Sequence, residues 1–248
     1  MNHVSITELA PLSQFSRVVV LTGAGISAPS GLPTYRGDDG RWSDAEAARA
    51  SQAEAVTDDL AAVWRLWGGL AHQAAHAEPN AGHVALSRAE ESLRSRRGRL
   101  LVVTQNVDGL HQRAGQRDVV ELHGSTHRQR CLNPSCRAAA PFTGNGETVP
   151  VCGSCGGRTR PAIVLFGEML DAAALERSWE AATDCDLLLA VGTSCTVSPA
   201  ADLVAVARDA GALCVALNRE PPATGSGFHA ALSGRAEHVL PRWLAETR

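Results

Sequence analysis

The chain has 248 residues, enough to bury a full core, and its 44% hydrophobic and 20% charged content is ordinary for a globular protein. A net charge of −3 gives no electrostatic case for nucleic acid as the main partner, and no apolar stretch approaches the roughly 18 residues that cross a bilayer. The N-terminus, "MNHVSITELAPLSQFS", lacks the basic and apolar regions of a signal peptide, so a cytoplasmic protein with no membrane partner is expected. All 23 basic residues are arginine, so no lysine side chain of this protein can be acylated.

Taken in chain order, the pattern alternates strand and helix. "RVVVL" (17–21) runs into the Gly-rich "TGAGISAPSG", and residues 43–76 are Ala-rich and read as helical. A second helix is expected over 80–96, then a strand at 100–104, a short helix around "DGLHQRA" and a strand at 119–124. Residues 128–160 change character, with four Cys and little periodicity. Beyond them come a strand at 162–166, a helix around 171–182, a strand at 186–193, a helix opened by Pro199 and a strand at 213–218. Continuous apolar strands separated by helices indicate an α/β fold with a parallel sheet covered on both faces. Ligands of such sheets bind beyond the carboxyl ends of the strands. Here four exits carry Gly or polar groups: Thr22 to Gly25, Thr104 to Asn106, Gly192 to Ser194, and Asn218.

Gly23 and Gly25 suit close approach of the backbone to a pyrophosphate, with Ser27 or free N–H groups as donors; a tight turn without a ligand is the competing reading. The acidic ribose partner expected about 20 residues further on is not evident, and Asn218 could take that place. Gln105, Asn106 and Asp108 at a strand exit suit recognition of a carboxamide such as that of nicotinamide, although Asp108 or Asn106 could simply cap the short helix. An imidazole titrating near pH 6.5 can act as a general base. His123 stands at a strand end and His111 competes with it, and sequence chemistry does not choose between them.

Cys131-x4-Cys136 and Cys152-x2-Cys155 form two knuckles separated by 15 residues. Four thiolates make a closed tetrahedral zinc site, structural rather than catalytic. The single cysteines, Cys185, Cys195 and Cys214, read as buried small apolar residues.

Together, "GAGISAPSGLPTYRG", "TQNVDGLHQRAG", "ELHGS", the four-cysteine knuckles, "RPAIVLFGE", "GTSCTVSPA" and "LNRE" resemble the sirtuins, NAD-dependent protein lysine deacylases, from about Val18 to Asn218. The resemblance implies a Rossmann-like NAD-binding domain of residues 1–42, 77–127 and 161–248, a helical insert at 43–76 and a zinc module at 128–160. It implies that His123 is the catalytic base, with Asn106 and Asp108 catalytic beside it and Gln105 joining them around the nicotinamide ribose and carboxamide. Gly23, Ala24, Gly25, Ser27, Tyr35, Arg36 and Trp42 would serve the phosphates and the cofactor loop. Gly192, Thr193, Ser194, Asn218, Arg219, Glu220 and Ala236 would serve the adenosine half. Val164, Phe166, Gly167 and Glu168 would line the acyl-lysine channel, with the peptide clamped on a strand at 197–199 that begins at Val197.

The implied reaction consumes NAD as co-substrate and releases nicotinamide, free lysine and O-acyl-ADP-ribose. Zinc takes no part in bond breaking. The implied partners are acyl-lysine proteins, acyl-CoA synthetases among them. "VWRLW" and "EPNAGH" resemble a branch that removes succinyl or malonyl groups with a Tyr and, three residues on, an Arg. Trp67 and Leu70 stand at those positions and cannot form a charge-assisted pair with a carboxylate, so neutral acyl groups, acetyl first, are expected. Competing functions are protein mono-ADP-ribosyl transfer, a non-catalytic NAD sensor and a hydride-transferring dehydrogenase.

Overall fold

The computed structural model describes residues 2–3, 5–35, 40, 43–136, 138–142, 146–196, 198–220 and 227–245. In chain order its first elements are β1 (Asn2–His3), β2 (Arg17–Thr22), α1 (Ala45–Ala50), α2 (Ala55–Asp58), α3 (Leu60–His76), α4 (Ala81–Ser95), β3 (Arg99–Thr104), α5 (Leu110–Arg113) and β4 (Val119–Glu121). The chain continues through β5 (Gly124–Cys131), β6 (Ala139–Pro141), β7 (Thr159–Ile163), α6 (Ala172–Thr183), β8 (Leu187–Val191), α7 (Asp202–Asp209), β9 (Leu213–Asn218), β10 (Ala230–Ser233) and α8 (Ala236–Ala245).

Seven of these strands form a sheet in the order β1-β10-β9-β8-β2-β3-β4, every neighbouring pair parallel. The interiors of the central strands β2, β3, β8 and β9 are continuously apolar because both faces are covered. Val19, Leu21, Leu101, Val103 and Leu188 pack on one face with Leu203, Val204 and Ala207 of α7. Val18, Val20, Leu100, Val102 and Leu189 pack on the other with Leu86 and Leu93 of α4 and Leu240 and Trp243 of α8. Truncating a central residue such as Leu188 to Ala would cost roughly 2–5 kcal/mol. A third apolar cluster lies under α3 and joins Trp64 and Trp67 to Val107, Leu110, Ile163 and Leu165. No helix among the described residues is long and apolar enough to cross a membrane.

From β2 the chain moves to β3 and β4 on one side, and later from β8 to β9 and β10 on the other. The reversal falls between β2 and β8, and there the crevice beyond the strand ends opens.

Several elements differ from the sequence reading. The Ala-rich stretch at 43–76 is three helices rather than one. Asp44 caps α1 and Asp59 caps α3, while the chain between turns aside to pair with the far segment. Ala53 N–H donates to the Phe166 carbonyl at 2.9 Å, and Phe166 N–H donates to the Ser51 carbonyl at 2.9 Å. The strand expected at 162–166 is β7, shifted to Thr159–Ile163, and it belongs to a separate antiparallel sheet in the order β6-β5-β7. The strand expected to carry His123 stops at Glu121, and His123 stands in the turn before β5. Gly124 makes that turn at φ 76°, where an added Cβ would lie 2.2 Å from the Ala162 carbonyl oxygen. Residues 198–201 are turn, not strand, and α7 begins at Asp202 rather than at Pro199. Neither β10 nor α8 was foreseen, since Pro241 inside α8 breaks the usual helical signature.

Candidate functional site

At the reversal, the loops leaving β2 and β8 cross backbone to backbone. Gly25 N–H donates to the Gly192 carbonyl at 2.9 Å, and a Cβ on Gly25 would lie 2.7 Å from the Gly192 Cα. Gly192 is at φ 60°, and its own Cβ would lie 2.4 Å from Ile26 N. These glycines are therefore required by the packing of two loops, whatever they also offer a ligand. Residues 24–26 and 28–30 are single 3-10 turns rather than the start of an α-helix. Asn80 ties them to α4 by donating to the Ile26 carbonyl at 2.8 Å while its Oδ1 accepts from Gly82 N–H.

Above this crossing lies a cleft of about 1110 Å³, of the size that a dinucleotide and a side chain need. Its floor on one side is built from Gln105 and Asn106 at the exit of β3. Asn106 Nδ2 donates to the Gly23 carbonyl at 3.0 Å and to Ser27 Oγ at 3.2 Å, leaving Oδ1 as its remaining acceptor. Gln105 Nε2 donates to Thr193 Oγ1 at 2.9 Å, across the reversal.

Ser27 and Asp108 sit behind this floor rather than on it. Ser27 Oγ donates to Asp108 Oδ2 at 2.7 Å, and Leu110 N–H donates to Asp108 Oδ1 at 2.9 Å. The Ser27 hydroxyl proton is thus committed to a buried carboxylate that needs it, and Asp108 does bond the start of the short helix α5. Burial raises the Asp108 pKa, opposed by these hydrogen bonds.

His123 lines the cleft and His111 does not. His123 Nδ1 lies 3.0 Å from the Gln105 carbonyl oxygen. A carbonyl only accepts, so Nδ1 carries the proton, and the lone pair of the neutral ring is on Nε2. Burial lowers its pKa, partly offset by that bond. His111 is sealed in the protein at 1% exposure. Thr22 Oγ1 donates to Thr104 Oγ1, so His111 Nε2 must donate to Thr22 Oγ1 at 3.0 Å, and its Nδ1 has no partner among the described residues. Its ring packs edge-on against buried His83, and burial drives its pKa well below the ordinary value.

Beside His123 the cleft has an apolar lobe formed by Tyr35, Trp67, Val107, Ile163, Leu165 and Phe166. Val164 N–H donates to the His123 carbonyl at 2.9 Å, which brings the 163–168 segment to the imidazole. Trp67 is 6% exposed, and its indole N–H has no partner among the described residues. Leu70 lines a small cavity with Tyr35, Asn106 and Asp108 that adjoins the main cleft, sharing Ala24, Tyr35, Asn106 and Val107 with it. Gly167 and Glu168 line the lobe, but the Glu168 carboxylate is spent on buried Arg160 and on Leu165 N–H. Arg160 was passed over as a site residue, although it opens the "RPAIVLFGE" stretch eight positions before its partner.

At the opposite end, Asn218 Nδ2 donates to the Thr193 carbonyl at 3.0 Å. Gly192, Thr193, Ser194, Arg219, Glu220 and Ala236 line the cleft there with Arg235 and Glu237, which the sequence reading missed. Arg36, Trp42 and Val197 lie outside the described residues.

The sulfurs of Cys131, Cys136, Cys152 and Cys155 lie within 4.8 Å of one another. An all-thiolate set of four, with no further His, Cys, Asp or Glu ligand grouped with it among the described residues, fits a structural zinc ion. Cys131 pairs in register with Thr159, whose carbonyl accepts from the Trp64 indole N–H at 2.8 Å, so the knuckles are braced against α3.

Fold and site together define a Rossmann-like α/β protein that carries a small four-cysteine module. The model of the Sir2 family matches residues 23–199, and the chain belongs to that family. It is 43% identical over 238 residues to "NAD-dependent protein deacylase 2" of Pyrobaculum aerophilum, covering 96% of this chain and 93% of the relative. It is similar to a crystal structure of a Sir2 homolog–NAD complex, with a TM-score of 0.87 at 31% identity over 98% of this chain and 94% of the other. It is also similar to a Sir2 protein with a deacetylated peptide and 3'-O-acetyl-ADP-ribose, with a TM-score of 0.83 at 28% identity over 95% of each chain.

Proposed function

We propose that this chain is an NAD-dependent protein lysine deacylase acting first on acetyl-lysine. The observation that carries the reading is the His123–Gln105 bond, which leaves a basic Nε2 in a cleft with amides on one side and an apolar lobe on the other. NAD is co-substrate: the acyl oxygen displaces nicotinamide from the anomeric carbon, a ribose hydroxyl then attacks the acyl carbon, and water completes O-acyl-ADP-ribose as free lysine leaves. His123 Nε2 takes the proton from the ribose hydroxyl that attacks the acyl carbon. Gln105 and Asn106 hold the nicotinamide end, and Asp108 fixes Asn106 through Ser27. Gly23, Ala24, Gly25 and Tyr35 border the phosphates, and Arg36 and Trp42 belong to the same cofactor loop. Thr193, Ser194, Asn218, Arg219, Glu220 and Ala236 receive the adenosine half.

Trp67, Val164, Phe166 and Gly167 surround the acyl-lysine, with Glu168 holding that wall through Arg160. Val197 begins the segment that meets the peptide. Residues 1–42, 77–127 and 161–248 form the NAD-binding domain in this reading, with 43–76 as helical insert and 128–160 as zinc module. The substrates are acyl-lysine proteins met in the cytoplasm, acyl-CoA synthetases among them.

The test is product analysis with radiolabelled NAD and an acetyl-lysine peptide. Equimolar nicotinamide, free lysine peptide and O-acetyl-ADP-ribose are expected. Label retained on protein would replace the reading with ADP-ribosyl transfer, and NADH formation would replace it with hydride transfer.

A further inference from the structure

His111 is sealed away from the cleft, yet its hydrogen bonds lead to it. The neutral ring donates from Nε2 to Thr22 Oγ1 at 3.0 Å, and Thr22 Oγ1 donates to Thr104 Oγ1 at 2.8 Å. Thr104 Oγ1 also accepts from Asn106 N–H at 3.0 Å. That N–H and the Gln105 carbonyl are opposite edges of one planar peptide unit. The carbonyl edge accepts from His123 Nδ1 at 3.0 Å, so a continuous chain of bonds joins the two imidazoles. Thr22, Thr104, Asn106 and His111 are all buried, and bulk water does not compete for these bonds. Nδ1 of His111 has no partner among the described residues, nor has either ring nitrogen of His83. A buried imidazole with an unmatched nitrogen is less favourable in a core than an apolar side chain. What it supplies that an apolar side chain lacks is the N–H held on Thr22.

We propose that His111 is a positioning residue for His123. Its Nε2–H fixes the Thr22 hydroxyl, the two threonines fix the plane of the 105–106 peptide, and that plane aims the carbonyl that holds Nδ1 of the base. The assignment rests on the reading of His123 as general base given above, and it adds the element that orients that base. His83 of α4 is the ionisable group that faces His111. Burial lowers the pKa of both, that of His83 to about 4, so both rings are neutral at pH 7. On the side of α5 itself, Asp108 is bonded to Ser27 and to Leu110 N–H.

The test follows the His123 imidazole by NMR titration, its signal assigned by loss in His123→Ala, together with the pH–rate profile of the full chain. His111→Leu removes the donor, and His111→Gln keeps an N–H donor toward Thr22. Thr22→Val and Thr104→Val remove the hydroxyls at nearly constant shape. The Gln105 bond raises the His123 pKa, so loosening it lowers that value. In His111→Leu and both valine variants, the His123 pKa and the acid midpoint of kcat/KM are expected to fall below the wild-type values. Their kcat is expected to fall about tenfold, with the ADP-ribose Kd within about twofold of wild type. His111→Gln is expected to stay close to wild type. Because both act through one chain, His111→Leu combined with Thr22→Val is expected to be no slower than Thr22→Val alone. Melting temperatures establish which variants fold, and the valine variants decide if His111→Leu does not. A His123 pKa and a kcat unchanged in the folded variants overturn the proposal, as does a His111→Gln variant as slow as His111→Leu. A wild type that binds ADP-ribose but releases no nicotinamide would instead defeat the deacylase reading, and the NMR titrations would still judge His111.

Discussion

The carbonyl that fixes the His123 ring belongs to Gln105, whose side chain reaches Thr193 on the other side of the sheet reversal. The proposed general base and the amide end of the cleft are therefore one mechanical unit. Because burial lowers the His123 pKa, the ring stays neutral to lower pH than an ordinary imidazole. The acid limb of kcat/KM should have its midpoint below about 6.5. The unfolded chain takes up this proton first, so the same shift weakens the native fold as pH falls below that value. A pH–rate profile checks the first statement, and a midpoint above 6.5 would contradict it.

Asp108 is buried and accepts from Ser27 and from Leu110 N–H. Asp108→Asn keeps an acceptor for Leu110 and removes a buried charge, so the fold should survive. The Ser27 hydroxyl must then reorient, and Asn106 loses its fixed partner. The expected result is a KM for NAD raised by about tenfold, with nicotinamide inhibition weakened alongside it. A melting temperature within a few degrees of wild type with both constants unmoved would remove Asp108 from the pocket.

In the proposed function the apolar lobe sets acyl choice. Among its described residues no cation is present, and Leu70, which the family resemblance puts where an Arg would be needed, is buried and faces a small adjoining cavity. A succinyl carboxylate entering this lobe would lose water and gain only the neutral Trp67 indole N–H, with no cation among the described residues that line the lobe. Matched acetyl- and succinyl-lysine peptides should differ in kcat/KM by at least about tenfold in favour of acetyl. Equal values would defeat the assignment.

The four thiols brace the β5–β7 sheet against α3 through Thr159 and Trp64. Cys152→Ser, or strong chelation, should therefore lower the melting temperature and cost activity in step with the loss of folded protein. Thermal unfolding and activity per folded molecule, measured together, check this. A zinc-free variant with unchanged stability would show that the cluster is not structural.

Much of this was legible in the sequence because backbone chemistry left marks. Apolar runs marked β2, β3, β8 and β9 as strands, and paired cysteines marked the metal module. The choice between His111 and His123 was not legible from residue chemistry. It depends on which imidazole the fold seals under α4 and which it leaves at the turn before β5. The strand read at 162–166 went to the wrong sheet because a short apolar run carries no sign of its partner.

The most direct measurement is made on His123→Ala: nicotinamide release with an acetyl-lysine peptide, and ADP-ribose affinity by calorimetry on the same preparation. The account predicts turnover lowered by at least about a hundredfold with ADP-ribose affinity within a few fold of wild type. Turnover close to wild type would contradict it and return the role of base to another residue.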